Sequence, residues 1–253
     1  MAIVGIIPAR FASTRLPGKP LLSDTGKPMI RHVIEAAGRA KRLDRIIVAT
    51  DDVRIAKAVE AFGGEVAMTR GDHPSGTDRV AEVIARMPDA RLIVNLQGDE
   101  PEVSGSTIDR LVDLLESDPD APMATLATPI RDEATYRDPS CVKVVRSASG
   151  RALYFSRSPI PHHRDGPPDW LADPPAALLH LGLYAYRREF LLGLAEMPTS
   201  ALERAEKLEQ LRVLEAGHPI ALGIVEEHGV GIDTPEDYRR FVERWKARGG
   251  EDG

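Results

Sequence analysis

Two patterns predict an α/β fold with a doubly wound, mixed sheet. Apolar runs of strand length alternate with segments of helical periodicity through the first half, and past Val142 the pattern shifts to an antiparallel hairpin. The strand runs stay almost wholly apolar until a polar terminus, which marks strands buried on both faces. With 253 residues, 42% of them hydrophobic, the chain is long enough to bury a full core. It is read as one domain over residues 1–253 that carries an inserted hairpin-and-loop lobe at about residues 140–190.

Ala2 to Ile7 opens the chain as a strand. Pro28 to Lys41 places Ile30, Val33, Ile34 and Ala37 on one helical face, with Pro28 suited to the first turn. Arg45 to Thr50, Gly64 to Thr69 and Leu92 to Gln97 read as further strands. Between them, Asp52 to Phe62 and Gly76 to Met87 have helical periodicity, as does Ser106 to Glu116. Val142 to Arg146, the turn Ser147-Ala148-Ser149-Gly150 and Ala152 to Ser156 read as the hairpin. The Pro-rich stretch Pro159 to Pro175 interrupts regular structure, and a loop of that length points to function or to a subunit contact. Leu178 to Tyr186 returns as a strand and Ala201 to Ala216 as a helix, and Thr234 caps a last helix running to about Ala247.

The formal charge of -6 argues against broad nucleic-acid binding, which needs an excess of Lys and Arg on one face. The single cysteine, Cys141, can form no internal disulfide and suits a reducing compartment. The opening strand lacks a basic leader, and no apolar run approaches the roughly 18 residues that cross a bilayer. The expectation is a cytoplasmic protein with no membrane partner.

In a doubly wound sheet ligands gather beyond the carboxyl ends of the strands, so the polar residues there carry the functional reading. The loop Pro8-Ala9-Arg10-Phe11-Ala12-Ser13-Thr14-Arg15-Leu16-Pro17-Gly18-Lys19-Pro20 follows the first strand and holds three cations, Arg10, Arg15 and Lys19. They suit the anionic oxygens of a nucleotide tail, although a solvated basic turn has the same composition. Leu92 to Asn95 leads into Leu96-Gln97-Gly98-Asp99-Glu100-Pro101, where an amide, a glycine and two carboxylates end a buried strand. An acid there can hold Mg²⁺, which takes one or two protein carboxylates and completes its shell with phosphate and water. Asp233, in Gly231-Ile232-Asp233-Thr234-Pro235, is either a turn residue or a second ligand beside Asp99. Pro74-Ser75-Gly76-Thr77-Asp78-Arg79 opens a helix, where free N–H groups favour anions or polar base edges. The His162-His163 pair lacks a third ligand at recognisable spacing. A Gly-x-x-x-x-Gly-Lys-Ser/Thr loop is absent, and Gly229-Val230-Gly231 lacks the third glycine of a dinucleotide site, so kinase and dehydrogenase readings fall away.

Taken in order, the cationic loop, Pro74 to Arg79, Asn95 to Pro101, Tyr154-Phe155-Ser156-Arg157-Ser158-Pro159-Ile160-Pro161, His180-Leu181-Gly182-Leu183-Tyr184, Leu208-Glu209-Gln210-Leu211-Arg212 and Gly231 to Asp237 resemble the 3-deoxy-manno-octulosonate (Kdo) cytidylyltransferases, or CMP-Kdo synthetases. The resemblance covers nearly the whole chain. Its first motif is shared with the wider sugar cytidylyltransferases, whereas the Tyr154 and Leu208 segments are particular to the Kdo enzymes. It implies a nucleotide-diphospho-sugar transferase-like fold with a smaller antiparallel dimerisation lobe, and a homodimer that feeds lipopolysaccharide assembly. The implied reaction joins CTP and Kdo to give CMP-Kdo and pyrophosphate.

Carried over residue by residue, the resemblance implies that Arg10, Arg15 and Lys19 face the CTP phosphates and that Ser75, Gly76, Arg79 and Gln97 shape the nucleotide pocket. Asp99 and Asp233 would bind Mg²⁺. Arg157 would counter the sugar carboxylate, with His180, Tyr184, Glu209 and Gln210 reading hydroxyls. Each sugar-side residue also admits a plain structural role: core packing for His180 and Tyr184, a polar helix face for Glu209 and Gln210. Rival readings are a cytidylyltransferase for 8-amino-Kdo or sialic acid, and a catalytically silent nucleotide-sensing module. The Pro161 to His180 segment departs from the compact form of the family and is assigned no catalytic duty.

Overall fold

In the computed structural model, which describes residues 1–12, 16–226, 229 and 231–250, β1 (Ala2–Ala9) is flanked on both sides by parallel partners. One is β2 (Arg45–Thr50), with Ile6 opposite Ile47; the other is β4 (Ala90–Asn95), with Ile6 opposite Asn95. Edge strand β3 (Glu65–Met68) pairs in parallel with β2, giving the order β3-β2-β1-β4. Parallel pairing requires crossovers, supplied by α1 (Met29–Ala37), α2 (Val53–Ala61) and α3 (Gly76–Ala85). Val4, Ile6, Ile7, Val48 and Val94 have no exposed surface, as expected of strands covered on both faces. The starts of α2 and α3 are capped: Asp52 accepts from Arg54 N, and Ser75 Oγ from Asp78 N. Closing this set of elements is α9 (Pro235–Ala247), whose Thr234 and Asp237 form a reciprocal capping box.

The chain divides into two units, Met1–Asp109 with Gly229–Gly253, and Arg110–His228, with α4 (Gly105–Ser117) running across the sequence boundary. In the second unit, β5 (Met123–Pro129) lies antiparallel to β8 (Leu178–Arg187) and parallel to β9 (Ile220–Ile224). The hairpin is present as β6 (Lys143–Arg146) and β7 (Ala152–Ser156), and β6 also pairs antiparallel with β8. Short helices α5 (Glu133–Arg137) and α6 (Arg188–Glu196) complete the connections. The fold is α/β, with parallel strands in the first unit and mixed pairing in the second.

One element differs from expectation. The helix read over Ala201 to Ala216 is two helices, α7 (Ala201–Glu206) and α8 (Gln210–Glu215). Lys207 adopts φ 55° and ψ 49°, the left-handed region, and stops α7. The two short helices are tied by the Glu203–Arg212 ion pair, with Arg212 Nε donating to Glu203 Oε2 at 2.7 Å. In the Pro-rich stretch, the Tyr136 hydroxyl donates to Pro161 O, and the Tyr136 ring packs 5.3 Å from Trp170 and 5.8 Å from His163.

Candidate functional site

Beyond the carboxyl ends of β1 and β4 lies a cleft of about 370 Å³ walled by Pro8, Arg10, Lys19, Gly76, Gln97, Gly98, Asp99 and Asp233. Backbone pairing brings its two acids together: Ile232 N donates to Asp99 O at 2.9 Å, drawing the Ile232–Asp233 segment alongside the loop after β4. Asp233 N and Thr234 N donate to Asp237 Oδ2, so the capping box of α9 fixes the turn that presents Asp233. Gly98 lets the loop after β4 lie close against the end of β1, since a Cβ there would sit 3.0 Å from Pro8 O.

Lys19 stands between the acids. Its ammonium donates to Asp99 Oδ2 at 2.9 Å, Ile232 O at 2.7 Å and Asp233 Oδ1 at 3.4 Å. The preceding Gly18 holds φ 69°, which starts the short 3-10 turn Lys19–Leu21 and aims the lysine inward. A cation cage of two carboxylates and one carbonyl, all hard oxygens, is the donor set that suits Mg²⁺. Among the described residues no group of three or more His, Cys, Asp or Glu is placed to hold a metal ion. Beside them, burial and the charge of Asp99 push the Glu100 carboxyl up to about 8.

The other predicted residues of this unit divide into wall and support. Arg10 Nη2 donates to His73 O at 2.7 Å and Ser75 O at 3.0 Å, so it braces the turn into α3 as it lines the cleft. Gly76 and Gln97 are on the wall, while Ser75 caps α3. Arg79 is fully buried off the wall, with Nη1 2.6 Å from Thr69 Oγ1 and 2.9 Å from Asp51 Oδ1. Burial lowers its guanidinium pKa from the ordinary value, opposed by Asp51. Its Nε and Nη2 have no partner among the described residues. Arg15 lies outside the described residues.

In the second unit, β8 brings His180 and Tyr184 together, and Glu209, at the start of α8, acts on the Tyr184 phenol. The His180 ring lies 5.4 Å from Tyr184 and edge-on to Phe155 at 4.9 Å. Burial pushes the Tyr184 phenol well above its usual range, with Tyr186 and Glu209 adding to it. Burial also lowers His180 to about 3, so its imidazole is neutral. Thr125 Oγ1 gives its one proton to a backbone carbonyl, Leu183 O at 2.8 Å, and therefore accepts from His180 Nε2 at 3.0 Å. That assignment places the imidazole proton on Nε2 and leaves Nδ1 as an acceptor. Gln210, only 4% exposed, has an Nε2 with no partner among the described residues, a donor that burial makes costly to leave unpaired.

Arg157, at the end of β7, is held by residues that the sequence reading did not single out. Glu206 Oε2 accepts from Arg157 N at 2.9 Å, its Oε1 from Ser156 Oγ at 2.6 Å, and its main-chain oxygen from Arg157 Nε at 2.7 Å. The fully buried Lys143 donates to Arg157 O at 2.6 Å, as well as to Asp138 O and Cys141 O. Arg157 Nη1 donates to Pro139 O, so both faces of its backbone and part of its guanidinium are fixed. A lysine inside the apolar run Val142 to Val145 was the available signal for Lys143; for Glu206 there was none.

Residues 4–222 match the cytidylyltransferase family. A 3-deoxy-manno-octulosonate cytidylyltransferase of Syntrophotalea carbinolica is 53% identical, over 95% of this chain and 97% of that protein. The protein of the same name from Syntrophobacter fumaroxidans is also 53% identical, over 96% of each chain. A solved structure of a CMP:2-keto-3-deoxy-manno-octonic acid synthetase complexed with CTP superposes with a TM-score of 0.91, at 44% identity, covering 98% of this chain and 100% of that one.

Proposed function

This chain belongs to the cytidylyltransferase family, in its 3-deoxy-manno-octulosonate branch, and on that premise we propose that it joins CTP and Kdo to give CMP-Kdo and pyrophosphate. The observation that carries the reading is the pair Asp99 and Asp233, gathered on one cation at the wall of a strand-end cleft. Arg10, Arg15 and Lys19 serve the CTP phosphates, and Ser75, Gly76, Arg79 and Gln97 shape the nucleotide pocket. Arg157 opposes the sugar carboxylate, while His180, Tyr184, Glu209 and Gln210 read its hydroxyls.

The C2 hydroxyl of the sugar attacks the α-phosphorus, a P–O bond forms as the bond to pyrophosphate breaks, and the hydroxyl proton leaves to solvent. No covalent enzyme intermediate is needed, so rate comes from orientation and charge stabilisation. Asp99 and Asp233 would hold Mg²⁺, and when bound it would supply neutralisation of phosphate charge and a lower barrier to loss of the hydroxyl proton. The cationic side chains stabilise the negative charge that builds on the departing pyrophosphate. Neutral His180 offers Nδ1 to a sugar hydroxyl, and Gln210 Nε2, which has no partner among the described residues, donates to another. The same proposal makes the protein a cytoplasmic homodimer whose product supplies lipopolysaccharide assembly. No helix among the described residues is long and apolar enough to cross a membrane.

The test is pyrophosphate release from CTP with a panel of acidic sugars. Kdo should be turned over in preference to 8-amino-Kdo and sialic acid. Preference for either of the others would reassign the substrate, and CTP binding without release from any of them would make the protein a nucleotide sensor.

A further inference from the structure

Lys19 is expected from the cationic loop to address phosphate, yet its ammonium is spent on the acids. It sits among three oxygens, Asp99 Oδ2, Asp233 Oδ1 and Ile232 O, at 2.9, 3.4 and 2.7 Å. These are ammonium distances; Mg²⁺ draws its ligands in to about 2.0–2.1 Å. The lysine side chain is 13% exposed against 31% and 47% for the two acids, so the cation is the most enclosed of the three groups. Two cations cannot share the same carboxylate oxygens at contact without strong repulsion. Without a cation the two carboxylates face each other as like charges.

We propose that the Lys19 ammonium is the resident counter-ion of the Asp99–Asp233 pair in the nucleotide-free protein, and that a divalent cation takes the pair only once Lys19 has left it. This rests on the reading of the two acids as divalent-cation ligands. Lys19 is then a positioning residue for the acid pair before it is a phosphate ligand. It keeps the carboxylates gathered while no metal is bound, and an anionic nucleotide tail in the same cleft offers the ammonium a new partner when it departs. Nucleotide and metal are thereby coupled through one side chain: whatever draws Lys19 away raises affinity for the cation, and by linkage the cation favours the nucleotide. The Asp237 carboxylate that accepts from Asp233 N and Thr234 N, and the Ile232 N to Asp99 O bond, fix the backbone that carries the two acids, so the exchange needs movement of side chains only.

The experiment titrates the nucleotide-free protein with Mn²⁺, following bound ion by calorimetry and free ion by electron paramagnetic resonance. Wild type, Lys19→Met, Asp99→Asn and the double variant are compared. Lys19→Met should bind Mn²⁺ roughly tenfold more tightly than wild type, equivalent to about 1.4 kcal/mol, and the gain should vanish in the double variant. Mn²⁺ should also raise the melting temperature of Lys19→Met more than that of wild type. Should Lys19→Met fail to fold, Lys19→Gln removes the charge while keeping a polar tip, and carries the same expectation. Equal or weaker Mn²⁺ binding by the lysine variants, with Asp99→Asn still abolishing it, would overturn the exchange and leave the metal reading standing. Mn²⁺ binding indifferent to Asp99→Asn in every background would overturn both.

Discussion

Glu206→Ala isolates the support of Arg157 from every group assigned to substrate. The Glu206 carboxylate accepts from Arg157 N at 2.9 Å and from Ser156 Oγ at 2.6 Å, and Ser156 is only 3% exposed. Hydrogen bonds to a charged group contribute about 1.5–3 kcal/mol each, so losing both removes about 3 kcal/mol of local order at the lower end of that range. Arg157 keeps its Nε bond to the Glu206 main chain and its Nη1 bond to Pro139 O, so it loosens without being released. The expected result is a roughly 10- to 100-fold rise in KM for Kdo, about 1.4–2.7 kcal/mol, with KM for CTP nearly unchanged. Glu206→Gln should behave close to wild type, because its Oε1 still accepts from Arg157 N and its amide can donate to Ser156 Oγ. The assay is pyrophosphate release with each substrate varied at saturation of the other. A Glu206→Ala enzyme whose KM for Kdo stays within about twofold, or whose KM for CTP rises as much, would refute the assignment.

Asp99→Asn should cut turnover by about a thousandfold or more while circular dichroism and melting stay near wild type, since the asparagine amide cannot replace an anionic cation ligand; near-normal activity at saturating Mg²⁺ would remove Asp99 from the machinery. Gly98→Ala puts a methyl 3.0 Å from the Pro8 carbonyl and should cost about 1–3 kcal/mol in urea denaturation together with weaker CTP binding. Unchanged stability would show that the loop after β4 yields freely. His180 titrates at about 3 in the fold against an ordinary 6.5, so the unfolded chain takes up the extra proton first. The neutral imidazole therefore favours the fold fully above pH 6.5, and that contribution is lost as pH falls from there toward 3. The slope has an upper bound of about 1.4 kcal/mol per pH unit, reduced by partial solvent access. Replacing His180 with Phe should flatten the melting-temperature profile over that window, and an unaltered profile would contradict the burial assigned to the ring.

Much of the first unit was legible because burial writes itself into composition. β1, β2 and β4 are apolar runs ended by polar residues, and α1 to α3 show their inner faces by spacing alone. β5 was not legible: Met123-Ala124-Thr125-Leu126-Ala127-Thr128-Pro129 is buried throughout but built from small residues that neither alternate nor form an apolar block. The break at Lys207 was hidden because no Gly, Asn or Pro marks it; the Glu203–Arg212 pair and packing around Leu208 stabilise the turn from outside the local sequence. At the site, the strand-end acids and the cationic loop stood out as residue types. Which cation met which anion did not, because Lys19 reaches residues far along the chain. Glu206 was invisible for the same reason, acting on Arg157 across 49 positions as one ordinary glutamate among many.

Transfer itself can be followed with CTP labelled at the α-phosphorus, incubated with Kdo and Mg²⁺ and resolved by chromatography. The label should move onto the sugar as CMP-Kdo in step with pyrophosphate, and Asp99→Asn and Asp233→Asn should each stop the transfer. Label that stays on the nucleotide in the wild-type protein, or that moves equally well in both variants, would contradict the proposed reaction.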